Sequence, residues 1–251
     1  MTDKIRLRLD RALTKLGFGT RKEVRALIKS RRVTVDGDVV TDHGFIITDP
    51  ESAGVEVDGV LFALRQHTHL MLNKPVGYLT AHKDSRYPVV FDLIPEDLRG
   101  LQFTSAGRLD RDAGGLILLT TDGELAHRLM SPKYQVRKTY YIVFSGKPFT
   151  AVEEEKFSSG IVLEDKTECL PAKIKILSDQ EILLTITEGK YHQVKRMVQA
   201  VSREVTDLRR LSIDGLQLDP ELEEGEFRFL AREEALTLYK AVNLQINTDY
   251  L

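Results

Sequence analysis

The chain has 251 residues, 42% of them hydrophobic and 29% charged, with a net charge of −2. That is enough apolar material for one large domain or two smaller ones, and 17 Gly with 8 Pro is too few for a fibrous or low-complexity protein. The single cysteine, Cys169, excludes an internal disulfide and a Cys-based zinc site, and no apolar run is long enough to span a bilayer. The N-terminus, MTDKIRLRLDRAL, is charged where a signal peptide carries an apolar segment, and with the single cysteine this fits a reducing cytoplasm; a monomer is expected. The charge is unevenly spread. Residues 1–35 hold 11 Lys/Arg against 3 Asp/Glu, a net of +8, and the remaining 25 Lys/Arg against 35 Asp/Glu give −10. This asymmetry fits a polyanion-binding module fused to a body with another task, or a solvated basic helix face.

In chain order, Leu7, Leu9, Ala12, Leu13 and Leu16 predict an amphipathic helix that ends at Gly17 and Gly19. Thr20 and Glu23 then form a capping-box pattern before a helix with Val24, Leu27 and Ile28 on its apolar stripe. VTV, Asp36-Gly37 and DVV read as a hairpin, with more short strands to about Phe62. Residues 63–69 read as a linker, which divides the chain into 1–62 and 70–251. HLMLNKPVG, LILLT (116–120), KTYYIVF (138–144) and EILLTIT (181–187) read as strands, and ELAHRLM as a short helix. Val194, Met197, Val198 and Val201 mark one face of a further helix, with Lys195, Arg196 and Gln199 off that face. Strands and helices mix without βαβ alternation. The expected class is therefore α+β with a mixed, largely antiparallel sheet.

Asp110 and Asp112 lie in GRLDRDAGGL, among arginines and glycines. A carboxylate held there suits a nucleophile or base. Spacing alone also permits a glycosidase pair or two solvated turn residues. The six histidines show no metal-ligand spacing, and His43, His67, His69, His82 and His127 read as surface or packing residues. No P-loop or GxGxxG element is present. No metal and no cofactor are expected.

The order RLDRAL (8–13), TRKEVRALIKSRRVTVDG (20–37) and VEVDG (55–59) resembles the S4 RNA-binding domain. That resemblance implies phosphate contacts through Arg11, Arg21, Lys22, Arg25, Arg31 and Arg32, which supply affinity and little sequence information. LNKPVG (72–77), GRLDRDAGGLILLTTDGELAHRLMSPK (107–133), KTYYIV (138–143), PAKI (171–174), EGKYHQVKRM (188–197) and GEFRFL (225–230) together resemble a pseudouridine synthase of the RsuA type, over nearly the whole chain. The resemblance implies Asp110 as catalytic aspartate, Tyr140 against the target base, and Lys195 paired with Asp110. It also implies Arg108 and Arg196 at the opened RNA and Ile213 in an apolar pocket.

Three departures from the family pattern stand out. Ala113 replaces a threonine, with a looser loop expected, and Ser212 and Asp214 replace an arginine and a glycine. The YHQVKRM form leans toward 16S ribosomal RNA or an assembly intermediate as partner. A 23S enzyme and a non-catalytic RNA-binding or assembly factor on the same fold are the alternatives. A glycoside hydrolase is disfavoured, because no second carboxylate sits in a comparable motif.

Overall fold

Short-range signals set most of the elements in this computed structural model, which describes residues 7–48, 53–62, 67–99 and 101–245. The chain divides into two compact units. The first contains β1 (Leu7–Arg8), α1 (Leu9–Lys15), α2 (Arg21–Lys29), β2 (Val33–Val35), β3 (Asp38–Val39), β4 (Ile46–Ile47), β5 (Val55–Val57) and β6 (Val60–Phe62). Residues 94–103, with the short helix α3 (Glu96–Arg99), group with it.

The capping box forms at α2. Thr20 N–H donates to Glu23 Oε2 at 2.7 Å, and Glu23 N–H donates to Thr20 Oγ1 at 3.4 Å. Such a cap stabilises a helix by about 1 kcal/mol. Leu9, Leu13, Val24, Ile28, Val33 and Val55 are fully buried in one core. The opposite helix surface is basic: Arg11, Arg21, Lys22, Arg25, Arg31 and Arg32 are all exposed. The predicted hairpin turns at Asp36 (φ 54°) and Gly37 (φ 85°), two positive φ values in succession, as the tight two-residue turn requires. Leu7 differs from its expected place in a helix. It pairs with Ile47 in a two-stranded ladder, and α1 begins only at Leu9.

Residues 63–66 of the expected linker lie outside the described residues. His69, where the expected linker and the expected HLMLNKPVG strand meet, is the first residue of β7 (His69–Lys74). The second unit continues with β8 (Thr104–Ser105), β9 (Gly114–Thr120), α4 (Gly123–Met130), β10 (Lys138–Ser145) and α5 (Ala151–Ser159). Then come β11 (Lys173–Ser178), β12 (Glu181–Ile186), α6 (Gln193–Gln199), β13 (Glu204–Ile213), β14 (Leu216–Gln217), β15 (Phe227–Phe229) and α7 (Arg232–Ala241). One sheet runs β11-β12-β10-β13-β9-β7-β15, with β14 added on β13 and β8 on β9.

Among the described residues, every strand pairing of this sheet is antiparallel except β13 with β9, where Arg209 faces Gly114 and Arg210 faces Gly115. All seven residues of β9 are buried, which explains its unbroken apolar run. Gly115 is obligatory at this crossing. Its φ is +96°, and a Cβ there would lie 2.4 Å from the Arg210 carbonyl oxygen. The crossing brings Arg210 beside the loop that carries Asp110.

The packing of α7 explains His69. Tyr239 Oη on α7 donates to Asp122 Oδ2 at 2.7 Å and lies 3.5 Å from His69 Nε2, and His69 Nδ1 lies 2.8 Å from Thr120 Oγ1. Asp122 also caps α4 by accepting from Glu124 N–H and Leu125 N–H. One carboxylate thus joins a helix start to the C-terminal helix. No helix among the described residues is long and apolar enough to cross a membrane.

Candidate active site

The loop between β8 and β9 carries Arg108, Asp110 and Asp112, and contacts from Lys74, Gly77 and Thr80 fasten its backbone. Thr80 Oγ1 donates to Leu109 C=O at 2.9 Å and accepts from Leu109 N–H at 3.1 Å. Gly77 N–H donates to Arg111 C=O at 2.7 Å, and Lys74 Nζ donates to Ala113 C=O at 2.6 Å. None of these contacts uses the side chain at position 113, where Ala113 is buried. Lys74 is fully buried, and burial lowers its pKa to about 8 against the pull of Asp112 and Asp110.

A cavity of about 710 Å³ opens over this loop. Its floor comes from adjacent strands of the sheet. Lys138 and Tyr140 of β10, Ile186 of β12, and Leu208 and Arg210 of β13 line it, with Tyr140 directly opposite Arg210 in the ladder. Tyr140 is 7% exposed, so one ring edge or face is all it offers to the cavity. Lys138 is buried, and desolvation with the nearby Arg210 charge lowers its pKa to about 8. Arg210 donates from Nε to Leu116 C=O at 2.8 Å, while its buried Nη2 has no hydrogen-bond partner.

The other wall is the turn into α6. Buried Glu188 accepts from Gln193 Nε2 at 2.7 Å and from Leu170 N–H at 2.9 Å, and it pairs with Lys190. Burial alone would raise the Glu188 pKa, but the Lys190 hydrogen bond and the donated N–H groups outweigh it and hold the pKa low. Lys190 N–H closes the turn onto Gln193 Oε1 at 2.8 Å. His192 then takes a left-handed backbone (φ 47°), which histidine tolerates better than most residues, and starts α6.

Two basic side chains of this wall reach Asp110. His192 Nε2 lies 3.4 Å from Asp110 Oδ1, and Lys195 Nζ lies 3.8 Å from Asp110 Oδ2. The expected Lys195–Asp110 pair is therefore present only as a loose contact. The direct hydrogen bond of Lys195 goes to Asp112, whose pKa it lowers. The reason is geometric: Asp112 is exposed at the loop tip and reaches the lysine first.

Arg108 lines the cavity and is exposed. Arg196 and Ile213 do not line it. Arg196, the next residue around α6, is held by Asp165 at 2.5 Å and by the Tyr191 carbonyl at 3.3 Å. Ile213 is fully buried in the last pair of β13 with Lys138. Asp214 takes a positive φ (49°), which accounts for the glycine usual there, and it accepts from Arg137 Nε at 3.1 Å. Sequence reasoning missed His192, Lys74 and Arg210. His192 and Lys74 stand inside the HQVKRM and LNKPVG motifs, but neither motif says what its side chain will touch. Among the described residues, no group of three or more His, Cys, Asp or Glu is placed to hold a metal ion.

Known proteins share this architecture. Residues 7–51 match the S4 domain family, and residues 68–200 match the RNA pseudouridylate synthase family. An uncharacterised RNA pseudouridine synthase of Bacillus subtilis, YtzG, is 44% identical over 91% of this chain and 96% of its own. The ribosomal small subunit pseudouridine synthase A of Vibrio cholerae is 42% identical over 93% of this chain and all of its own. A crystal structure of a pseudouridylate synthase, 35% identical, superposes with a TM-score of 0.65 over 92% of this chain and 99% of that one. The chain therefore belongs to the RNA pseudouridylate synthase family. Its S4 domain and its relatives make it a synthase of the RsuA type, an isomerase by activity.

Proposed function

We propose that this protein converts one uridine of small-subunit (16S) ribosomal RNA into pseudouridine, with Asp110 as the catalytic carboxylate. The observation that carries the reading is Asp110 at the cavity wall, within 4 Å of both His192 and Lys195, in a chain 42% identical to a ribosomal small subunit synthase. In the reaction the C1′–N1 bond breaks and a C1′–C5 bond forms. One proton leaves C5 and one arrives at N1, so product and substrate have the same composition. The target uridine must leave its stack to reach the cavity. Tyr140 supplies an aromatic contact for the base, and the Lys195 ammonium offsets the Asp110 charge. Arg108 meets the opened strand. The six exposed basic residues of α1, α2 and the turn after α2 dock the RNA through its phosphates. The partner is ribosomal RNA or an assembly intermediate that contains it.

The test is pseudouridine mapping in both ribosomal RNAs from cells with and without the gene. One 16S position should lose its pseudouridine. Loss at a 23S position would overturn the target, and no loss anywhere would overturn the reading.

A further inference from the structure

Tyr191 is an aromatic residue left almost wholly in solvent, 76% exposed, on the wall of the cavity that holds Asp110. One face of its ring is covered by His192, with centroids 3.9 Å apart and planes 19° from parallel. Among the described residues no other ring or cation lies over it. Tyr87 near the Asp110 loop is different, because the Arg111 guanidinium sits 4.3 Å from its ring centroid. The backbone beneath Tyr191 is also held. Its carbonyl accepts from Arg196 Nη1, the turn before it is tied by Glu188 and Gln193, and His192 is locked in a left-handed conformation. An exposed aromatic ring on such a rigid turn loses little entropy when something stacks on it.

We propose that Tyr191 is a stacking site for the unpaired base next to the target uridine. The inference rests on the pseudouridine synthase reading of the cleft. Moving the target into the cavity takes a stacking partner away from each neighbouring base. A neighbour waiting at the mouth is left with one bare face. The open face of Tyr191 replaces the lost partner, and His192 on the other face continues the stack. His192 also lies 3.4 Å from Asp110, so the stack ends at the catalytic carboxylate. Occupancy of Tyr191 thereby places the flanking nucleotide at a fixed distance from the reacting centre, and adds affinity without a requirement for one particular base.

The experiment uses the full-length protein and a small-subunit rRNA transcript in which the wild-type protein forms pseudouridine. 2-Aminopurine is placed singly at each nucleotide flanking the modified position. Stacking on Tyr191 quenches the fluorescence of one of these probes in the wild type and in Tyr191→Phe. Tyr191→Ala abolishes that quench and weakens binding roughly 5- to 150-fold, the equivalent of about 1–3 kcal/mol per stacked base. Tyr191→Phe binds like the wild type, because the ring and not the hydroxyl does the stacking. Equal affinity for Tyr191→Ala and wild type, or a loss in Tyr191→Phe as large as in Tyr191→Ala, would overturn the stacking site while normal pseudouridine formation upheld the parent reading. A wild-type protein that formed no pseudouridine in any ribosomal RNA would overturn the parent reading and the stacking site with it.

Discussion

The six basic side chains assigned to RNA docking in the first unit are all exposed, whereas Lys74, Lys138 and Arg210 around the Asp110 loop are all buried. Exposed cations are screened and individually weak. They act on a polyanion by number, and Arg32 can pair with Asp58 or Arg25 approach Asp10 while still facing solvent. Buried cations bear a desolvation cost that lowers the pKa of Lys74 and Lys138 to about 8, and their geometry is set by specific carbonyls. Lys74 holds the Asp110 loop, and Arg210 fills the close crossing of β9 and β13. The comparison teaches that charge count describes the first unit and position describes the second. Removing one cation from the first should give a graded loss. Removing one from the second should change chemistry or folding at a named place.

The sharpest break is at Asp110. Asp110→Asn should lower single-turnover pseudouridine formation by roughly 10⁴-fold or more and leave RNA affinity within a few-fold of wild type. Near-normal turnover in that variant would remove Asp110 from the mechanism. Next comes Lys195. Lys195→Met should slow single turnover by on the order of 10²–10³-fold at saturating enzyme. Asp112→Asn should cost less, because Lys195 then loses its nearer partner and can move toward Asp110. Lys195→Arg should fall between wild type and Met, since charge is kept and donor geometry altered. Wild-type rates for Lys195→Met would end the role given to this ammonium.

A smaller effect is expected in the first unit. Arg21→Ala and Lys22→Ala should each lower the slope of log affinity against log salt by roughly 0.7 to 0.9, with single-turnover rates at saturation unchanged. Unchanged slopes would mean that this helix face does not meet phosphate. The smallest effect concerns stability at Lys138. Its folded pKa of about 8 lies below its ordinary value of 10.5, so the unfolded chain binds more protons between those pH values. The wild type should therefore gain stability as pH rises from about 8 to 10.5, by at most ~3 kcal/mol from this group. Lys138→Met lacks that contribution. It should melt a few degrees above wild type at pH 7, and thermal denaturation should show the gap closing toward pH 10. A gap independent of pH would show that Lys138 is not held against its charge.

Much of the molecule is legible in local sequence. Thr20 and Glu23 bond each other within one helical turn, and Asp36-Gly37 makes a hairpin from two adjacent residues. The strands at 138–144 and 181–187 alternate because one face of each is buried in the sheet. The motifs carrying Asp110, Tyr140 and Lys195 are also local strings, and those three residues line one cavity. Other features depend on residues far apart in the chain. Leu7 is a strand residue because Ile47 is there to pair with it. Lys195 bonds Asp112 ahead of Asp110, a choice made by reach between two elements 83 residues apart. Arg196 adjoins Lys195 in sequence, but the helix turns it to Asp165 and away from the cavity.

By itself, then, the sequence determined the cap of α2, the hairpin, the strand periods and the motif that holds Asp110, because each is written in residues within a few positions of one another. Only the tertiary structure decided the parallel joining of β9 and β13, the burial of Lys74, Lys138 and Arg210, and the approach of His192 to Asp110. Those follow from long-range pairing and packing, where the environment of a side chain is supplied by segments that its own neighbours do not specify.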